Sequence, residues 1–205
     1  MGEGGAITTN DPLLHERLSR LRNHGMTREA RQFRNGDLAF GADGEANPWY
    51  YEMPEIGFNY RASDIHCALA LSQLGKLDGF IARRQALAEC YDRRLAALAL
   101  RIQPPQRIAG CRPAWHLYAA RVDFAGLKLP REALMRQLRA AGIGTQVHYI
   151  PVHLQPYYQE RSGPLQMPGS MEYYRRTLSL PLFPTMTEND VARVVDALAR
   201  CLPAP

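Results

Sequence analysis

Residues 57–64, GFNYRASD, combine groups that can hold an anion beside the start of a helix. Gly57 permits a tight turn, Asn59 offers an amide and Arg61 offers a planar guanidinium. An amide and a guanidinium next to a helix N-terminus form a receptor for a phosphate or a carboxylate. The alternative is structural: Asn59 only shapes the turn, and Arg61 pairs with Asp64. Spacing alone favours this alternative.

Two further clusters contain groups that can bind a polyhydroxylated ligand. The first consists of Trp115, His116 and Tyr118, and the second is QVHYIPVHLQPYY at residues 146–158. Side chains of His, Tyr and Gln hydrogen-bond hydroxyl groups, and aromatic rings stack on sugar rings. A strand followed by a rigid, proline-containing turn needs no ligand, so both interpretations remain open.

Other patterns of catalytic residues are absent from the sequence. It contains no G-x-S-x-G, H-E-x-x-H or P-loop pattern. His148 and His153 have no carboxylate at ligand spacing, so we expect no metal site. Lysine is scarce: Lys76 falls within a helical pattern and Lys128 within a loop, and neither has the surroundings of a nucleophile.

Hydrophobic periodicity predicts the elements that position these clusters. The predicted elements are helices at 12–24, 63–98, 131–141 and 188–201 and strands at 115–124 and 145–150. Thr187 is the predicted N-cap of the last helix. A helix over 63–98 would be roughly 50 Å long, with Gly75 and Gly79 marking a bend or a close contact. The alternation of strands and helices after residue 115 indicates a small α/β layer.

Composition excludes several classes of protein. The chain has 205 residues, of which 46% are hydrophobic and 22% charged, as in globular proteins. No apolar run approaches the roughly 20 residues that span a bilayer, and the N-terminus lacks a signal-peptide pattern, so we expect a cytoplasmic protein without a membrane partner. The net charge is +5, but the arginines are dispersed, so we expect no nucleic-acid partner. Four cysteines without a C-x-x-C pair predict reduced, buried thiols.

Five motifs occur along the chain: GEGGAITTND, LRNHG, GFNYRASDIHCALALSQL, WHLY and QVHYIPVHLQPYY. Their order and spacing resemble the DegT/DnrJ/EryC1/StrS family of sugar aminotransferases. The resemblance implies an α/β fold, namely the C-terminal part of the type I (aspartate aminotransferase-like) fold of pyridoxal-phosphate transferases. Residues 1–62 would be a remnant of the large cofactor domain and a loop, 63–98 a long connecting helix, and 99–205 a small C-terminal α/β domain. FNYR and VHYIPV are most similar to a branch of the family in pseudaminic acid biosynthesis.

The resemblance also implies the chemistry. A complete member binds pyridoxal phosphate and transfers an amino group from glutamate to the 4-keto carbon of a UDP-sugar. Asn59 and Arg61 would reach the cofactor of the neighbouring subunit in a homodimer. The residues lining the sugar-nucleotide pocket would be His148, Tyr149, Ile150 and Pro151.

The family's Schiff-base lysine lies just before the GEGG stretch, and this sequence begins there. We therefore expect the 205 residues to lack that lysine and to be inactive by themselves. Some relatives carry histidine in its place and dehydrate the sugar, so transfer and dehydration both remain open. A non-catalytic sugar-nucleotide-binding or dimerisation module is the alternative from another functional class.

Overall fold

The computed structural model describes residues 2–203, which divide into two compact units at the Gly75–Lys76 boundary. The first unit contains helices α1 (Pro12–Leu21), α2 (Gly36–Ala39) and α3 (Asp64–Leu74). Asp11 caps α1, because its carboxylate accepts hydrogen bonds from the N–H groups of Leu13 and Leu14 at 2.9 and 3.2 Å. This helix is slightly shorter than predicted.

The loop at 26–57 in the first unit has internal backbone pairing. Thr27 pairs with Glu52, and Phe40 pairs with Ala46. The ring of Phe33 packs edge-on against those of Phe40 and Tyr50, with centroid distances of 6.1 and 4.9 Å. The loop is therefore an ordered excursion that lies between α1 and α3 in the chain.

The single helix predicted over 63–98 is instead two helices. α3 ends at Leu74, α4 spans Leu77–Leu95, and a short 3₁₀ turn follows at Ala96–Leu98. Gly75 is the C-cap of α3 and Lys76 the N-cap of α4. Glycine has a low helix propensity, so the helix breaks at Gly75, one of the two glycines that marked a possible bend in the sequence.

The second unit contains an antiparallel sheet in the order β1–β2–β3, formed by β1 (Ile102–Gln103), β2 (Tyr118–Val122) and β3 (Thr177–Leu180). β2 confirms the strand predicted over 115–124 in shortened form. Trp115 lies outside it with a left-handed φ of 48°. The strand predicted over 145–150 is wrong, because only Gln146 pairs with β3, through Ser179.

Helices α4, α5 (Arg131–Ala140) and α8 (Glu188–Cys201) pack with this sheet around one hydrophobic core. Two further helices, α6 (Pro156–Ser162) and α7 (Pro168–Arg176), contain no buried residue. α5 and α8 confirm the helices predicted at these places. Thr187 closes a capping box with Asp190 at the start of α8, as its position predicted. The core residues include Leu87, Leu95, Ile102, Val122, Leu134, Leu138, Leu178 and Leu198.

The cysteines only partly match their prediction. All four are free; Cys90 is buried and Cys201 half-buried, but Cys67 and Cys111 are exposed. The expectation of buried thiols was therefore wrong for the latter two. Among residues 2–203, no helix is both long and apolar enough to cross a bilayer.

Candidate functional site

The segments LRNHG and GFNYR, residues 21–25 and 57–61, lie side by side in the first unit. The N–H of Phe58 donates to the carbonyl of Leu21 at 2.7 Å, and the N–H of His24 donates to the carbonyl of Phe58 at 2.9 Å. Tyr60 N–H donates to the carbonyl of Arg22 at 2.9 Å. Two motifs that are distant in sequence therefore form one short antiparallel ribbon.

Two glycines allow this close approach. Gly25 has a φ of 72°, and a Cβ on it would lie 1.8 Å from the carbonyl oxygen of Glu55. A Cβ on Gly57 would lie 2.1 Å from the backbone nitrogen of Gly25. Any side chain at either position would separate the two segments, so glycine here is a steric requirement.

The ribbon places Arg61 and Asn59 at its edge, where both are exposed. The guanidinium of Arg61 donates a short hydrogen bond to the Oδ1 atom of Asn23. The predicted pairing of Arg61 with Asp64 is therefore wrong. No salt bridge to Arg61 occurs within residues 2–203. The positive charge has an amide neighbour and no carboxylate, which suits an anion.

Asn23 is a residue that sequence reasoning did not assign to this site. It lies 38 positions before Arg61, so no local spacing rule connects the two. The LRNHG motif was the only signal that pointed to it. At the other end of the segment, Ser63 caps α3 and its hydroxyl contacts Nδ1 of His66 at 2.9 Å.

In the second unit, His148 is held from two sides. Its Nδ1 lies 2.8 Å from the hydroxyl of Ser179, which is only 4% exposed on β3. The hydroxyl of Tyr173 on α7 donates to the His148 carbonyl oxygen at 3.3 Å. These contacts fix the start of the segment that carries Tyr149, Ile150 and Pro151.

An open groove of about 440 Å³ lies beside this segment. Its lining consists of Tyr149, Ile150, Pro151, Val152, Gly169, Ser170 and Tyr173. Three of the four predicted pocket residues thus line one groove, whereas His148 contacts Ser179 and is not part of the lining. Sequence reasoning missed the residues from α7, which no motif had marked.

The cluster Trp115, His116 and Tyr118 is mainly structural. Tyr118 is fully buried, and its hydroxyl donates to Oδ1 of Asp92 at 2.7 Å. Arg107 contacts Oδ2 of the same carboxylate and covers the face of the Trp115 ring, 4.4 Å from its centroid. The interpretation of this cluster as a polyol receptor is therefore wrong for Trp115 and Tyr118.

Burial governs the acid–base chemistry of this core. Desolvation is the largest effect raising the pKa of Tyr118, and the hydrogen bond to Asp92 adds to it. Burial likewise raises the pKa of Tyr91, whose hydroxyl donates to the carbonyl of Pro181 at 2.9 Å. Both tyrosines remain neutral hydrogen-bond donors, and their rings stack at 4.6 Å.

A second, polar cavity of about 690 Å³ lies in the first unit around Glu52. The Glu52 carboxylate accepts hydrogen bonds from the N–H groups of Arg34 and Asn35 and from the hydroxyl of Tyr50. The Asn35 N–H is the largest cause of the lowered pKa of Glu52. The Glu52 carboxylate therefore accepts its hydrogen bonds from residues of the same loop and stabilises the conformation of that loop.

The two lysines of the sequence both belong to the second unit. Lys76 occupies the N-cap position of α4 without a side-chain capping hydrogen bond, and Lys128 lies exposed in a turn with a φ of 50°. Neither lines either cavity. Over the described part of the chain, no group of three or more metal-binding side chains is present.

Comparison with known proteins reveals relatives along nearly the whole chain. The sequence is 38% identical over 202 residues to the spore coat polysaccharide biosynthesis protein SpsC of Bacillus subtilis (strain 168), covering 96% of this chain and 49% of SpsC. The fold resembles that of Helicobacter pylori PseC, an aminotransferase involved in pseudaminic acid biosynthesis, with a TM-score of 0.79 and 24% identity. This match covers 95% of the chain and 47% of PseC.

The aminotransferase-type fold is also seen in DesV of S. venezuelae, solved in complex with a ketimine intermediate, with a TM-score of 0.74 and 30% identity. That match covers 96% of this chain and 46% of DesV. The chain spans about half the length of the relatives it matches. Its fold is α/β and corresponds to the C-terminal part of the type I transferase fold.

Residues 1–199 match the sequence profile that defines these enzymes. The α/β fold and the similarity to SpsC and DesV agree with this match. The chain therefore belongs to the DegT/DnrJ/EryC1/StrS aminotransferase family.

Proposed function

We propose that this chain supplies the second half of the active centre of a pyridoxal-phosphate-dependent nucleotide-sugar aminotransferase. The reaction would move an amino group from glutamate to the 4-keto carbon of a UDP-sugar. The observation that carries the proposal is the guanidinium of Arg61, which is exposed, bonded to an amide and free of any salt bridge within residues 2–203.

The donors around Arg61 fit a phosphate group. A phosphate monoester carries a charge near −2 and accepts several hydrogen bonds at neutral pH. The Arg61 guanidinium and the exposed Asn59 amide supply donors, and Asn23 orients the guanidinium through its Oδ1 atom. In the proposal, Asn59 and Arg61 hold the cofactor phosphate, and the bound cofactor supplies an electron sink for amino transfer.

The sugar nucleotide is proposed to bind in the second unit. Tyr149, Ile150 and Pro151 line a groove of about 440 Å³, which is within the size range of small-molecule sites. His148 anchors their backbone through the Ser179 hydroxyl and the Tyr173 hydroxyl. The proposed role of this segment is therefore to orient the sugar while the cofactor site performs the chemistry.

The surface of α3 supports assembly with further protein. No residue of this helix is buried, and it exposes Ile65, Leu69, Leu71 and Leu74. A helix that is apolar on all sides is typically buried in an assembled protein. We propose a second copy of the chain as one such neighbour, because the Asn59–Arg61 segment leads directly into α3 and would be carried to that interface.

The family's Schiff-base lysine is, in this proposal, not among these 205 residues. Neither Lys76 nor Lys128 lines either cavity, so in this proposal the chain alone would bind and orient a ligand but not turn over. The wording of FNYR and VHYIPV supports a finer proposal. The substrate would then lead to UDP-4-amino-4,6-dideoxy-N-acetyl-β-L-altrosamine, a precursor of pseudaminic acid.

The phosphate site can be tested by comparing pyridoxal phosphate with pyridoxal, which lacks the phosphate. The wild-type chain should bind pyridoxal phosphate more tightly, and Arg61→Ala should weaken that binding at least tenfold without changing the affinity for pyridoxal. Arg61→Lys should have an affinity for pyridoxal phosphate between those of the wild type and Arg61→Ala. Lysine keeps the positive charge but lacks the planar guanidinium that donates two parallel hydrogen bonds. Arg28→Ala is the matched control, because Arg28 is also an exposed arginine of the first unit.

Two results would contradict the proposal. Equal affinity of the wild type for the two compounds would remove the phosphate receptor. Borohydride trapping of the cofactor on Lys76 or Lys128, together with turnover by the chain alone, would show that the catalytic amine is present after all.

The second candidate is a binding module without catalysis. Both walls of the groove come from residues of the second unit, so the groove needs no other chain to form. Calorimetry with UDP-sugars would distinguish this candidate. Binding of UDP-sugars without any phosphate-dependent binding of the cofactor would favour it.

A further inference from the structure

The groove beside residues 149–152 has a second wall that the motifs do not mark. This wall is α7, which contributes Gly169, Ser170 and Tyr173. All three are exposed, so their surfaces are open to a ligand. The groove is therefore built from two segments that are about twenty positions apart in the chain.

The two walls are joined by a hydrogen bond. The hydroxyl of Tyr173 donates to the carbonyl oxygen of His148 at 3.3 Å, next to the start of the first wall. His148 is itself attached to the buried Ser179 of β3 through its ring. These two contacts connect the walls of the groove before a ligand binds, and such preorganisation lowers the cost of binding.

The lining indicates the chemistry of the ligand. None of the lining residues carries a charge, so the groove does not suit a phosphate. Two tyrosine rings offer stacking faces, and the hydroxyls of Tyr149, Ser170 and Tyr173 offer donors and acceptors. Gly169 adds no side chain, and a Cβ built on it meets nothing within 4 Å. Such a surface suits an uncharged ring with several hydroxyl or acetamido groups.

We propose that α7 forms the second wall of the sugar subsite, and that Ser170 and Tyr173 determine which ring substituents are accepted. This inference rests on the proposed function, because it assigns the sugar part of the nucleotide-sugar to this groove. The first wall contacts one face of the ring, and α7 contacts the substituents at its edge.

The test places a larger side chain where the structure leaves space. Gly169 lines the groove and a Cβ built on it meets nothing within 4 Å, so Gly169→Leu adds apolar volume at the groove, and leucine is a better helix former than glycine. Gly79→Leu is the matched control, since Gly79 is also an exposed helix glycine, on α4, with nothing within 4 Å of its Cβ position. Ser170→Leu is a second filling variant, and circular dichroism checks the fold of each.

The probes are UDP-N-acetylglucosamine and UDP, measured by saturation-transfer NMR and by titration with the full chain. In the wild type and in Gly79→Leu, the protons of the sugar ring should receive saturation. Gly169→Leu and Ser170→Leu should abolish that transfer and weaken UDP-N-acetylglucosamine at least tenfold, while UDP affinity stays within twofold.

Each other outcome overturns the inference in a distinct way. Undiminished sugar saturation in both filling variants would show that the sugar lies elsewhere, and the proposed function would stand without this subsite. Equal loss of UDP and the UDP-sugar would assign the groove to the nucleotide. Failure of the wild type to bind either probe would refute the nucleotide-sugar assignment together with the inference.

Discussion

The substitution Tyr118→Phe tests the hydrogen-bond network in the core of the second unit. It removes one hydroxyl and leaves the ring in place, so the stacking on Tyr91 at 4.6 Å is retained. The lost contact is the 2.7 Å hydrogen bond that the hydroxyl donates to Asp92. Arg107 remains paired with the same carboxylate.

The expected cost follows from the environment of the acceptor. A hydrogen bond to a charged group contributes about 1.5–3 kcal/mol. The Asp92 side chain is 27% exposed, so water can replace part of the lost donor. We therefore expect Tyr118→Phe to lower the free energy of unfolding by about 1.5 kcal/mol at pH 8, at the lower end of that range.

The same residue should make stability depend on alkaline pH. Burial raises the pKa of Tyr118 above its ordinary value near 10, so the folded chain keeps a proton that the unfolded chain loses. The stabilisation is complete below pH 10 and declines as pH rises toward the folded pKa. At pH 11 the loss from this one tyrosine is about 1.4 kcal/mol, and it is absent in Tyr118→Phe.

The assay is urea unfolding at pH 8 and pH 11, under reducing conditions, in a Trp49→Phe background. Trp115 is then the only tryptophan, and its fluorescence reports on the second unit. The difference in unfolding free energy between the parent chain and the Tyr118→Phe variant should fall from about 1.5 kcal/mol to nearly zero between the two pH values. Tyr158→Phe, at an exposed tyrosine, should match the parent at both. A difference that stays constant with pH would refute the reasoning.

Three further predictions concern the capping of α8 and the ribbon of the first unit. Thr187→Ala should cost about 1 kcal/mol in urea unfolding, because the Thr187 hydroxyl accepts from the Asp190 N–H at 3.2 Å. The Thr187 N–H donates to the Asp190 carboxylate and lowers its pKa in the folded chain. The destabilisation by Asp190→Asn should therefore shrink as the pH falls from the ordinary aspartate pKa, near 4, through the lowered pKa of the folded chain. Gly25→Ala should increase amide exchange at Phe58 and Tyr60 and weaken pyridoxal phosphate binding, because the new Cβ would lie 1.8 Å from the Glu55 carbonyl oxygen. Gly44→Ala is the control, because Gly44 has a φ of 81° and nothing within 4 Å of its Cβ position. It should lower the free energy of unfolding only by the roughly 1 kcal/mol of left-handed backbone strain. Equal effects of Gly25→Ala and Gly44→Ala would contradict the steric argument.

Local signals in the sequence located several elements. The N-cap Thr187, the apolar stripe and the terminal proline Pro203 all fall within residues 187–203, and together they identified α8. The helix α5 followed from the same kind of pattern. The motifs at 57–64 and 146–158 also indicated the family, which the match over residues 1–199 confirms.

Other features depended on contacts between distant residues. Alternation over 145–150 predicted a strand, yet only Gln146 pairs with β3, and His148 turns its ring to the Ser179 hydroxyl instead. Periodicity continued through 63–98, but the helix divides at Gly75 and Lys76. In both cases the apolar residues did follow the expected spacing. That spacing does not determine where the backbone hydrogen bonds of a strand or a helix end.

The sequence alone identified candidate residues for binding an anion and a sugar, because residue type fixes charge, hydrogen-bonding capacity and aromatic surface. Only the tertiary structure decided their partners: Asn23 for Arg61, Ser179 for His148, and α7 for the second wall of the groove. The physical reason is that caps and periodicity act over a few residues, whereas these contacts join positions about 20 to 40 apart. Their geometry is set by chain packing, which no local pattern encodes.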